Sequence, residues 1–280
     1  MSRRESHENW SEFYSRFISR NIGIISVNEQ EKIRNSKIAI FGVGGLGAPL
    51  AEQLVRAGCE HITIIDNGKF ETSNLNRQYC TINDMGKLKV DVINDLLKLI
   101  NPQVEIIKIY SAEDTLKEIV QNIDIAILTL DDLPLSISIA RICRDYNIPL
   151  LESWGIPYIW CWWFNSDNIS YEKCYNFPTE HLTITEMKKD RELLTNLKLK
   201  LYEKLLQFPN IKERYDREPG TVNGLIQGKL PLISFAPIVR MTASYLAFEV
   251  IFTGILKIKK MILAPKIMGY DFFEMEPISF

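Results

Sequence analysis

The 280-residue sequence has few cysteines, and no two of them stand in the CxxC spacing of a thiolate metal site. The five cysteines are an odd number without paired spacing: Cys59, Cys80, Cys143, Cys161 and Cys174. This pattern does not fit a disulfide framework and is typical of reduced thiols. We therefore expect a cytoplasmic protein.

An excess of charge of either sign is also lacking. The sequence has 33 Lys and Arg against 35 Asp and Glu, for a net charge of −2. Proteins that bind nucleic acids normally cluster an excess of basic residues, so this balance argues against a nucleic-acid partner. Residues 1–17 carry charge but lack a following apolar run of signal-peptide length, which argues against secretion.

Uninterrupted apolar runs of membrane-spanning length are missing as well. Residues 158–164 (YIWCWWF) are too short, and residues 231–256 are interrupted by Arg240 and Glu249. A spanning helix needs roughly 20 apolar residues with few charges. We interpret both segments as buried core or subunit interface, and we expect a soluble protein without a membrane partner.

What the sequence does contain is an alternation of short apolar runs with helical patterns. The predicted strands are residues 37–41, 61–66, 105–110, 124–129 and 149–151. The predicted helices follow the glycines of residues 42–47 and then occupy residues 87–100, 114–122 and 134–146. Strands that alternate with helices predict a parallel sheet with both faces covered.

The pattern changes after Trp154. Residues 158–164 predict a strand of different direction, and residues 180–220 are charged, with leucines at helical spacing. This charged stretch is either an excursion from the domain or a lid, and an amphipathic helix with a solvated face is its simplest interpretation. A long apolar helix near residues 237–256 and a last strand near residues 266–272 complete the prediction.

These elements predict an α/β fold. We expect a Rossmann-like nucleotide-binding domain whose mostly parallel sheet is extended by antiparallel strands in the C-terminal half.

A glycine-rich turn follows the first predicted strand. Its glycines are Gly42, Gly44, Gly45 and Gly47. Such a turn allows phosphates to approach the backbone at the N-terminus of the next helix, although any dinucleotide enzyme, or a turn without a ligand, shows the same pattern. Asp66 ends the second strand, where an acid can accept hydrogen bonds from a ribose.

Charged and polar residues follow at the ends of later elements. The run SNLNRQ contains Asn74 and Arg77, Lys89 begins a helix, and Asp131 follows the buried run DIAILT. Together the two cations and the amide would neutralise a triphosphate, and a carboxylate at a strand end can hold Mg²⁺. Taken singly, Arg77 and Lys89 have an alternative as surface charges, and Asp131 as a helix N-cap before Pro134.

As a set, these residues resemble the ubiquitin-activating, MoeB, ThiF and HesA family of adenylyltransferases. The matching runs are IAIFGVGGLGAPLAEQLVRAG, IIDNGKFETSNLNRQ, GKLKVD and ILTLDD, and the likeness is close over residues 14–156. The resemblance implies a single adenylation domain over residues 1–280. Its parts would be an N-terminal helical arm (1–36), a nucleotide-binding core (37–156), a crossover with a helical insertion (157–230) and a C-terminal helix and strand (231–280).

The resemblance also implies a role for each residue of the set. The four glycines would face ATP, and Asp66 would bind its ribose. The phosphates would be held by Asn74, Arg77 and Lys89, and Asp131 would bind Mg²⁺ and be required for the chemistry. The family implies a homodimer in which an N-terminal arginine of one chain reaches the phosphates of the other, and we prefer Arg20 to Arg16 for this role.

The sequence departs from the family pattern in three places. The two CxxC pairs that hold zinc in many relatives are lacking, so we expect no zinc. The cysteine that carries an acyl group in some relatives is replaced by Thr221, which leaves Cys174 as the nearest candidate, although a buried inert thiol explains it more simply. Gly68 also stands where the second acid of a D-x-D pattern is usual.

The resulting hypothesis is an ATP-dependent adenylyltransferase that activates the C-terminus of a small ubiquitin-like or sulfur-carrier protein, or of a peptide. An alternative of the same fold is a biosynthetic enzyme that modifies a ribosomal precursor peptide. An NAD-dependent oxidoreductase is the alternative from another class of enzyme. In such an enzyme Arg77, Lys89 and Asp131 would have no function. A non-catalytic partner subunit usually loses the lysine or the strand-end acid, and this chain keeps both.

Overall fold

The computed structural model describes residues 9–113 and 115–279, which form an eight-stranded sheet flanked by helices. The strands are β1 (Lys37–Phe41), β2 (His61–Ile65), β3 (Glu105–Ile109), β4 (Ile125–Leu128), β5 (Leu150–Glu152), β6 (Ile159–Phe164), β7 (Met268–Asp271) and β8 (Glu276–Ser279). Their order across the sheet is β3-β2-β1-β4-β5-β6-β7-β8.

The helices fill the connections. They are α1 (Glu12–Phe17), α2 (Val27–Asn35), α3 (Gly47–Arg56), α4 (Lys89–Ile100), α5 (Leu116–Gln121), α6 (Leu133–Asp145), α7 (Tyr171–Tyr175), α8 (Ile184–Lys189), α9 (Arg191–Leu205), α10 (Ile211–Tyr215), α11 (Thr221–Ile226) and α12 (Ala236–Phe248). A π-helix, Glu249–Ile255, continues α12.

Strands β1 to β5 run parallel, and β1 lies between β2 and β4. Successive residues of β1 face opposite sides of the sheet, so Ile38 and Ile40 pack under α3, α4 and α12. Ala39 and Phe41 pack under α5 to α9 on the other side. Because both faces are covered, the strand is apolar at nearly every position, which is why the sequence shows runs rather than alternation. The predicted doubly covered parallel sheet is confirmed.

The C-terminal half extends this sheet with antiparallel strands, also as predicted. β6 runs antiparallel to β5, and β7 and β8 follow as a hairpin at the far edge. Trp160, Trp162 and Trp163 of β6 are fully buried. The sequence indicated one last strand at residues 266–272, whereas the structure has two short ones, because a turn after Asp271 reverses the chain.

The insertion between β6 and α12 forms four helices after α7, and its main helix is amphipathic as predicted. Leu193, Leu197, Leu201 and Leu205 of α9 are buried in the core that covers one face of the sheet. The leucine spacing therefore packs the insertion onto the domain.

The long apolar helix at residues 236–255 is, by length and composition alone, apolar enough to cross a membrane, but half of its most apolar window is buried inside the protein. Its two charged residues have local partners. Arg240 lies 3.6 Å over the ring of Tyr79, and Glu249, which is 1% exposed, pairs with Lys259 at 2.6 Å. In the described structure this segment is therefore a core helix that packs on α3 and β6.

The N-terminal arm contains α1 and α2, while residues 1–8 of the predicted arm lie outside the described residues. Tyr14 anchors the arm, because its buried hydroxyl donates to the Gly58 carbonyl and accepts from Gln30 Nε2. The helix predicted at residues 114–122 is observed as α5, and Asp114 itself also lies outside the described residues.

A buried ion pair ties the insertion to the hairpin. Arg214 of α10 donates from both terminal nitrogens to Asp271 of β7, at 2.7 and 2.6 Å, and the two side chains are 6% and 3% exposed. The guanidinium also lies over the rings of Tyr158 and Phe273, at 4.6 and 4.7 Å. This pair holds the insertion against the edge of the sheet.

We expect Arg214→Met to lower the free energy of unfolding by about 3–5 kcal/mol, because it leaves the Asp271 carboxylate buried without a counter-charge. Denaturant unfolding of the variant measures this loss. Lys212→Met, an exposed change on the same helix, serves as the matched control. Equal stabilities for the two variants would contradict the anchoring role.

Candidate active site

A pocket opens where the parallel strands β1, β2, β4 and β5 end. Its lining comes from the loop after each of these strands and from helices of the insertion. The residues that follow the strands are Gly42, Gly44, Gly45, Leu46, Asp66, Asn67, Gly68, Leu130, Asp131, Asp132, Ser153, Trp154, Gly155 and Ile156. Ligands of open α/β sheets bind at this edge, so the pocket lies where the strand order predicted a site.

The glycine turn after β1 is tight. Gly42 has a φ of +98°, and a Cβ there would stand 2.6 Å from the Thr129 carbonyl oxygen. A Cβ on Gly47 would stand 1.8 Å from the Gly42 carbonyl oxygen. No side chain caps the N-terminus of α3, so its first N–H groups can bind an anion in the pocket.

Asp66 connects the glycine turn to the end of β2. One carboxylate oxygen accepts from the Val43 N–H at 3.0 Å, and the other accepts from the Gly68 N–H at 2.7 Å. A carboxylate has about four acceptor positions, so two remain for the hydroxyls of a ribose. Asp66 therefore shapes the turn and also faces the pocket.

Two cations line the pocket on the same side. Arg77 donates to the Ser73 carbonyl and to Asn76 Oδ1, which fixes its guanidinium, and its side chain lies 3.5 Å from where a Cβ on Gly45 would be. Lys89 stands at the start of α4, with Nζ close to Gly68. Both side chains remain partly exposed to the pocket.

Asp131 follows β4 and lines the same pocket. The pocket walls raise its pKa by desolvation, although the side chain still contacts solvent. Lys89 and Arg77 lower this pKa and Asp66 raises it, which shows that the four charged groups lie within electrostatic reach of one another.

The helix N-cap that the sequence offered as an alternative for Asp131 is its neighbour Asp132. Asp132 Oδ1 accepts from the Leu135 N–H at 3.0 Å, and Oδ2 pairs with Lys188 at 3.0 Å. Within the described ranges, the Asp131 carboxylate has no hydrogen-bond partner. It is therefore available to a ligand.

The structure describes no group of three His, Cys, Asp or Glu side chains that could hold a metal ion within residues 9–113 and 115–279. A magnesium ion at Asp131 would thus take its remaining ligands from phosphate oxygens and water. Mg²⁺ is usually bound in this way, through one or two carboxylates and the substrate phosphates.

Some predicted site residues do not line the pocket. Asn74 is 8% exposed, and its Oδ1 accepts from the Glu71 N–H, so its amide stabilises the turn before Arg77. Gly47 packs closely against the Gly42 carbonyl and so allows the tight turn. Arg20 lies in an exposed turn after α1. The described chain brings together the other predicted residues: Gly42, Gly44, Gly45, Asp66, Arg77, Lys89 and Asp131.

Several lining residues were not predicted from the sequence. Gln78 stands in the run SNLNRQ, is 8% exposed, and has an unpaired Oε1 beside the glycine turn. Glu152 ends β5, and its position at a strand end could have identified it as a candidate site residue. Tyr202, Leu205 and Val222 come from the insertion, and only the packing of α9 and α11 brings them here.

Glu152 is 2% exposed and accepts hydrogen bonds from Tyr171 at 2.6 Å and Tyr175 at 2.7 Å. Trp154 Nε1 donates in turn to the Tyr175 hydroxyl at 3.0 Å. Desolvation raises the pKa of Glu152 from 4.5 to about 7, while the two tyrosines act in the opposite direction. The carboxyl is thus held rigidly at the wall of the pocket.

The candidate thioester cysteine is buried. Cys174 in α7 is 3% exposed, and desolvation raises the pKa of its thiol to about 12. Thr221 begins α11, where its hydroxyl donates to the Glu218 carbonyl. Neither residue lines the pocket.

The raised pKa of Glu152 predicts a pH dependence of stability. Because the folded-state pKa of about 7 exceeds the ordinary value of 4.5, the stabilising contribution is present below pH 4.5 and is lost as the pH rises through 7. Glu152→Gln removes the titration, so the fall in unfolding free energy between pH 5 and pH 8 should shrink by about 2 kcal/mol. Denaturant unfolding at the two pH values measures it. Glu203→Gln, an exposed change on α9, is the control and should show the same decrease in unfolding free energy between pH 5 and pH 8 as the wild type. The same decrease in Glu152→Gln would disprove the raised pKa of Glu152.

Curated relatives match about half of this chain. The B. subtilis tRNA threonylcarbamoyladenosine dehydratase is 33% identical over 141 residues, which are 49% of this chain and 56% of that protein. The H. influenzae molybdopterin-synthase adenylyltransferase is 30% identical over 155 residues, 54% of this chain and 62% of the relative. The chain therefore covers less than two thirds of either relative.

Solved structures show the same fold at low identity. A crystal structure of PaaA superposes with a TM-score of 0.69 and 22% identity, covering 99% of this chain and 85% of the other. E. coli MccB in complex with AMPCPP and MccA gives a TM-score of 0.64 and 22% identity, over 97% and 72% of the two chains. The profile of the ThiF family matches residues 18–279, which is most of the chain. The protein therefore belongs to the ThiF family.

Proposed function

We propose that the protein is an ATP-dependent adenylyltransferase, which joins AMP to a carboxylate of another molecule and releases pyrophosphate. The observation that carries the proposal is the convergence of Arg77, Lys89 and Asp131 beside the open N-terminus of α3. Two cations and a helix terminus suit a triphosphate, which carries more charge than the pyrophosphate bridge of a dinucleotide. Named adenylyltransferases among the relatives support the same activity.

In this reaction a carboxylate oxygen attacks the α-phosphorus of ATP. The new oxygen–phosphorus bond forms as the bond to the bridging oxygen breaks, and the electron pair leaves with pyrophosphate. Arg77 and Lys89 hold the phosphates and stabilise the charge that builds up on the leaving group. Asp66 orients the ribose, and Asp131 would hold Mg²⁺, which would supply positive charge to neutralise the phosphates.

The carboxylate belongs, in this proposal, to the C-terminus of a small carrier protein or of a peptide. The relatives named as molybdopterin-synthase adenylyltransferase and as ubiquitin-like modifier-activating enzyme support the first substrate. The fold shared with E. coli MccB, which was crystallised with AMPCPP and MccA, fits the peptide alternative. The unpaired cysteines support a cytoplasmic enzyme, the balanced charge argues against a nucleic-acid partner, and the interrupted apolar runs argue against a membrane partner.

We also propose direct transfer of the acyl group from the adenylate to an external nucleophile, without zinc and without an enzyme thioester. A thioester step requires a thiolate within reach of the adenylated carbonyl. The burial of Cys174 and the raised pKa of its thiol argue against it in that role, and Thr221 is bound to a backbone carbonyl.

A homodimer forms part of the proposal. The solvent side of α12 and of the segment before it is apolar, with Phe235 62%, Met241 37% and Phe248 45% exposed. An exposed apolar stripe of this kind is typical of a subunit interface. A partner chain would also supply Arg20 to the phosphates, since Arg20 does not line the pocket of its own chain.

We expect Asp131→Ala to abolish ATP–pyrophosphate exchange and to leave the protein folded. Desolvation raises the pKa of this carboxyl, so at neutral pH its removal should leave the melting temperature unchanged or slightly higher. The exchange assay and thermal denaturation measure the two effects. Asp95→Ala, an exposed carboxylate on α4, is the matched control, and wild-type exchange in Asp131→Ala under saturating substrate would refute the assignment.

Mixing inactive chains tests the shared site. If Arg20 acts across the dimer, an equal mixture of Arg20→Ala and Asp131→Ala chains should recover about a quarter of wild-type exchange, because half of the dimers are hybrids with one intact site. Arg16→Ala replaces Arg20→Ala in the control mixture, since Arg16 is exposed and pairs with Glu12. A monomer in solution, or no recovery after subunit exchange, would contradict this arrangement.

A further inference from the structure

The pocket continues past the phosphate-binding residues into an apolar chamber at the end of β5. The walls of this β5 chamber are Trp154, Ile156, Leu205, Ile211, Val222 and Leu225. Two of them come from the loop after β5, and the others come from α9, α10 and α11. All six residues are at most 8% exposed, so this part of the pocket lies deep in the protein.

The position of the chamber relative to the phosphates follows from the strand order. Asp66 follows β2, the glycine turn follows β1, Asp131 follows β4 and the chamber follows β5, in that order along the sheet edge. The ribose side of the nucleotide site therefore lies at one end of the pocket, and the chamber lies at the other end. The chamber begins next to Asp131, on the side of the α-phosphate away from the ribose, where the acyl group of an acyl-adenylate would lie.

The chamber has no cationic partner for an acidic group. Within the described ranges, the pocket residues that come from the loop after β5 and from α9 to α11 include no Lys or Arg, and their polar side chains are those of Ser153, Tyr202 and Tyr215. The carboxyl at its edge, Glu152, is already occupied by the hydroxyls of Tyr171 and Tyr175. An apolar occupant fits these walls, because a charged one would lose its water without gaining a partner.

The segment before α12 borders both the chamber and the nucleotide part of the pocket. Leu232, Ile233 and Ser234 line the pocket, and the Ser234 carbonyl accepts from Asn76 Nδ2 at 2.9 Å, next to Arg77. Val239 of α12 lies 3.2 Å from where a Cβ on Gly45 would be and 3.4 Å from that of Gly155. The same contacts thus border the glycine turn and the chamber, which makes the two spaces one continuous site.

We propose that the carboxylate activated by this site belongs to a residue with a bulky apolar side chain, such as leucine, and that this side chain occupies the β5 chamber. The inference rests on the proposed adenylation and names its substrate class. A substrate that ends in glycine would leave the apolar walls without contacts, whereas a leucine side chain would remove its surface and theirs from water.

Non-hydrolysable acyl-adenylate analogues test the proposal before the natural substrate is known. The probes are 5′-O-sulfamoyl adenosines acylated with N-acetyl-glycyl-leucine, N-acetyl-glycyl-glycine or N-acetyl-glycyl-lysine, and isothermal titration calorimetry measures their dissociation constants. We expect the leucyl probe to bind about tenfold to a hundredfold more tightly than the glycyl probe. The lysyl probe, of similar length but charged, should bind no better than the glycyl probe.

A matched pair of variants locates the effect. Val222→Trp fills the chamber and should remove the preference for leucine while leaving the affinities for the glycyl probe and for AMP unchanged. Asn223→Trp places the same side chain on the exposed face of α11 and should keep the preference.

Each other outcome overturns a specific step. Equal binding of the leucyl and glycyl probes, or tightest binding of the lysyl probe, refutes the apolar chamber while adenylation stands. Loss of AMP binding in a Val222→Trp protein that keeps the wild-type thermal unfolding transition would show that the chamber belongs to the nucleotide and would refute the proposal. Failure of all three probes to bind the wild-type protein would instead contradict the proposed adenylation.

Discussion

The turn between β1 and α3 is the constraint on which the site depends. β1 lies between β2 and β4, and its chain must enter a helix immediately while passing under Thr129 at the end of β4. Any side chain at Gly42 or Gly47 would collide with backbone, so only glycine allows this path. Asp66 then holds the turn by accepting from Val43, which links the ends of β1 and β2. The helix terminus and the charged residues are aligned because this turn is fixed.

Two carboxyl groups at the site, those of Asp131 and Glu152, lie in surroundings that disfavour their charged forms. The pKa of Asp131 and that of Glu152 are both raised by desolvation, so the folded protein favours their neutral forms. Buried ion pairs elsewhere in the fold are satisfied, as Arg214 and Asp271 show. Perturbed carboxyls concentrated around one pocket are typical of functional sites, where binding of a ligand requires charge that folding alone disfavours.

The pocket combines two environments that differ in polarity. Around β1, β2 and β4 it is lined by Asp66, Arg77, Lys89 and Asp131, which suit a nucleotide. Around β5 it is lined by apolar side chains from the insertion. The helices α9 to α11 therefore act in two ways: their leucines cover one face of the sheet, and their ends enclose the site. The residues that we propose to bind the nucleotide come from the parallel core, and those that we propose to select the substrate come from the insertion.

The sequence by itself determined the parallel core and most of the nucleotide site. Runs such as KIAIF are local, and the strands predicted from them agree with β1 to β5 to within one or two residues. Gly42, Lys89 and Asp131 were found because each stands at the end of an element that the sequence pattern predicts, and Arg77 was found in the run SNLNRQ. Asn74 shows the limit of that reasoning, since its amide is used in a turn rather than in the pocket.

Only the tertiary structure decided which residues complete the site. Asp132, not Asp131, is the N-cap of α6, and this depends on where the helix begins in three dimensions. Glu152 meets Tyr171 and Tyr175 because α7 packs near the end of β5, and Val222 lines the same pocket as Trp154 because α11 packs there. Sequence periodicity reports the face that a helix buries but not the element it is buried against, so contacts between residues far apart in the chain appear only once the helices are packed.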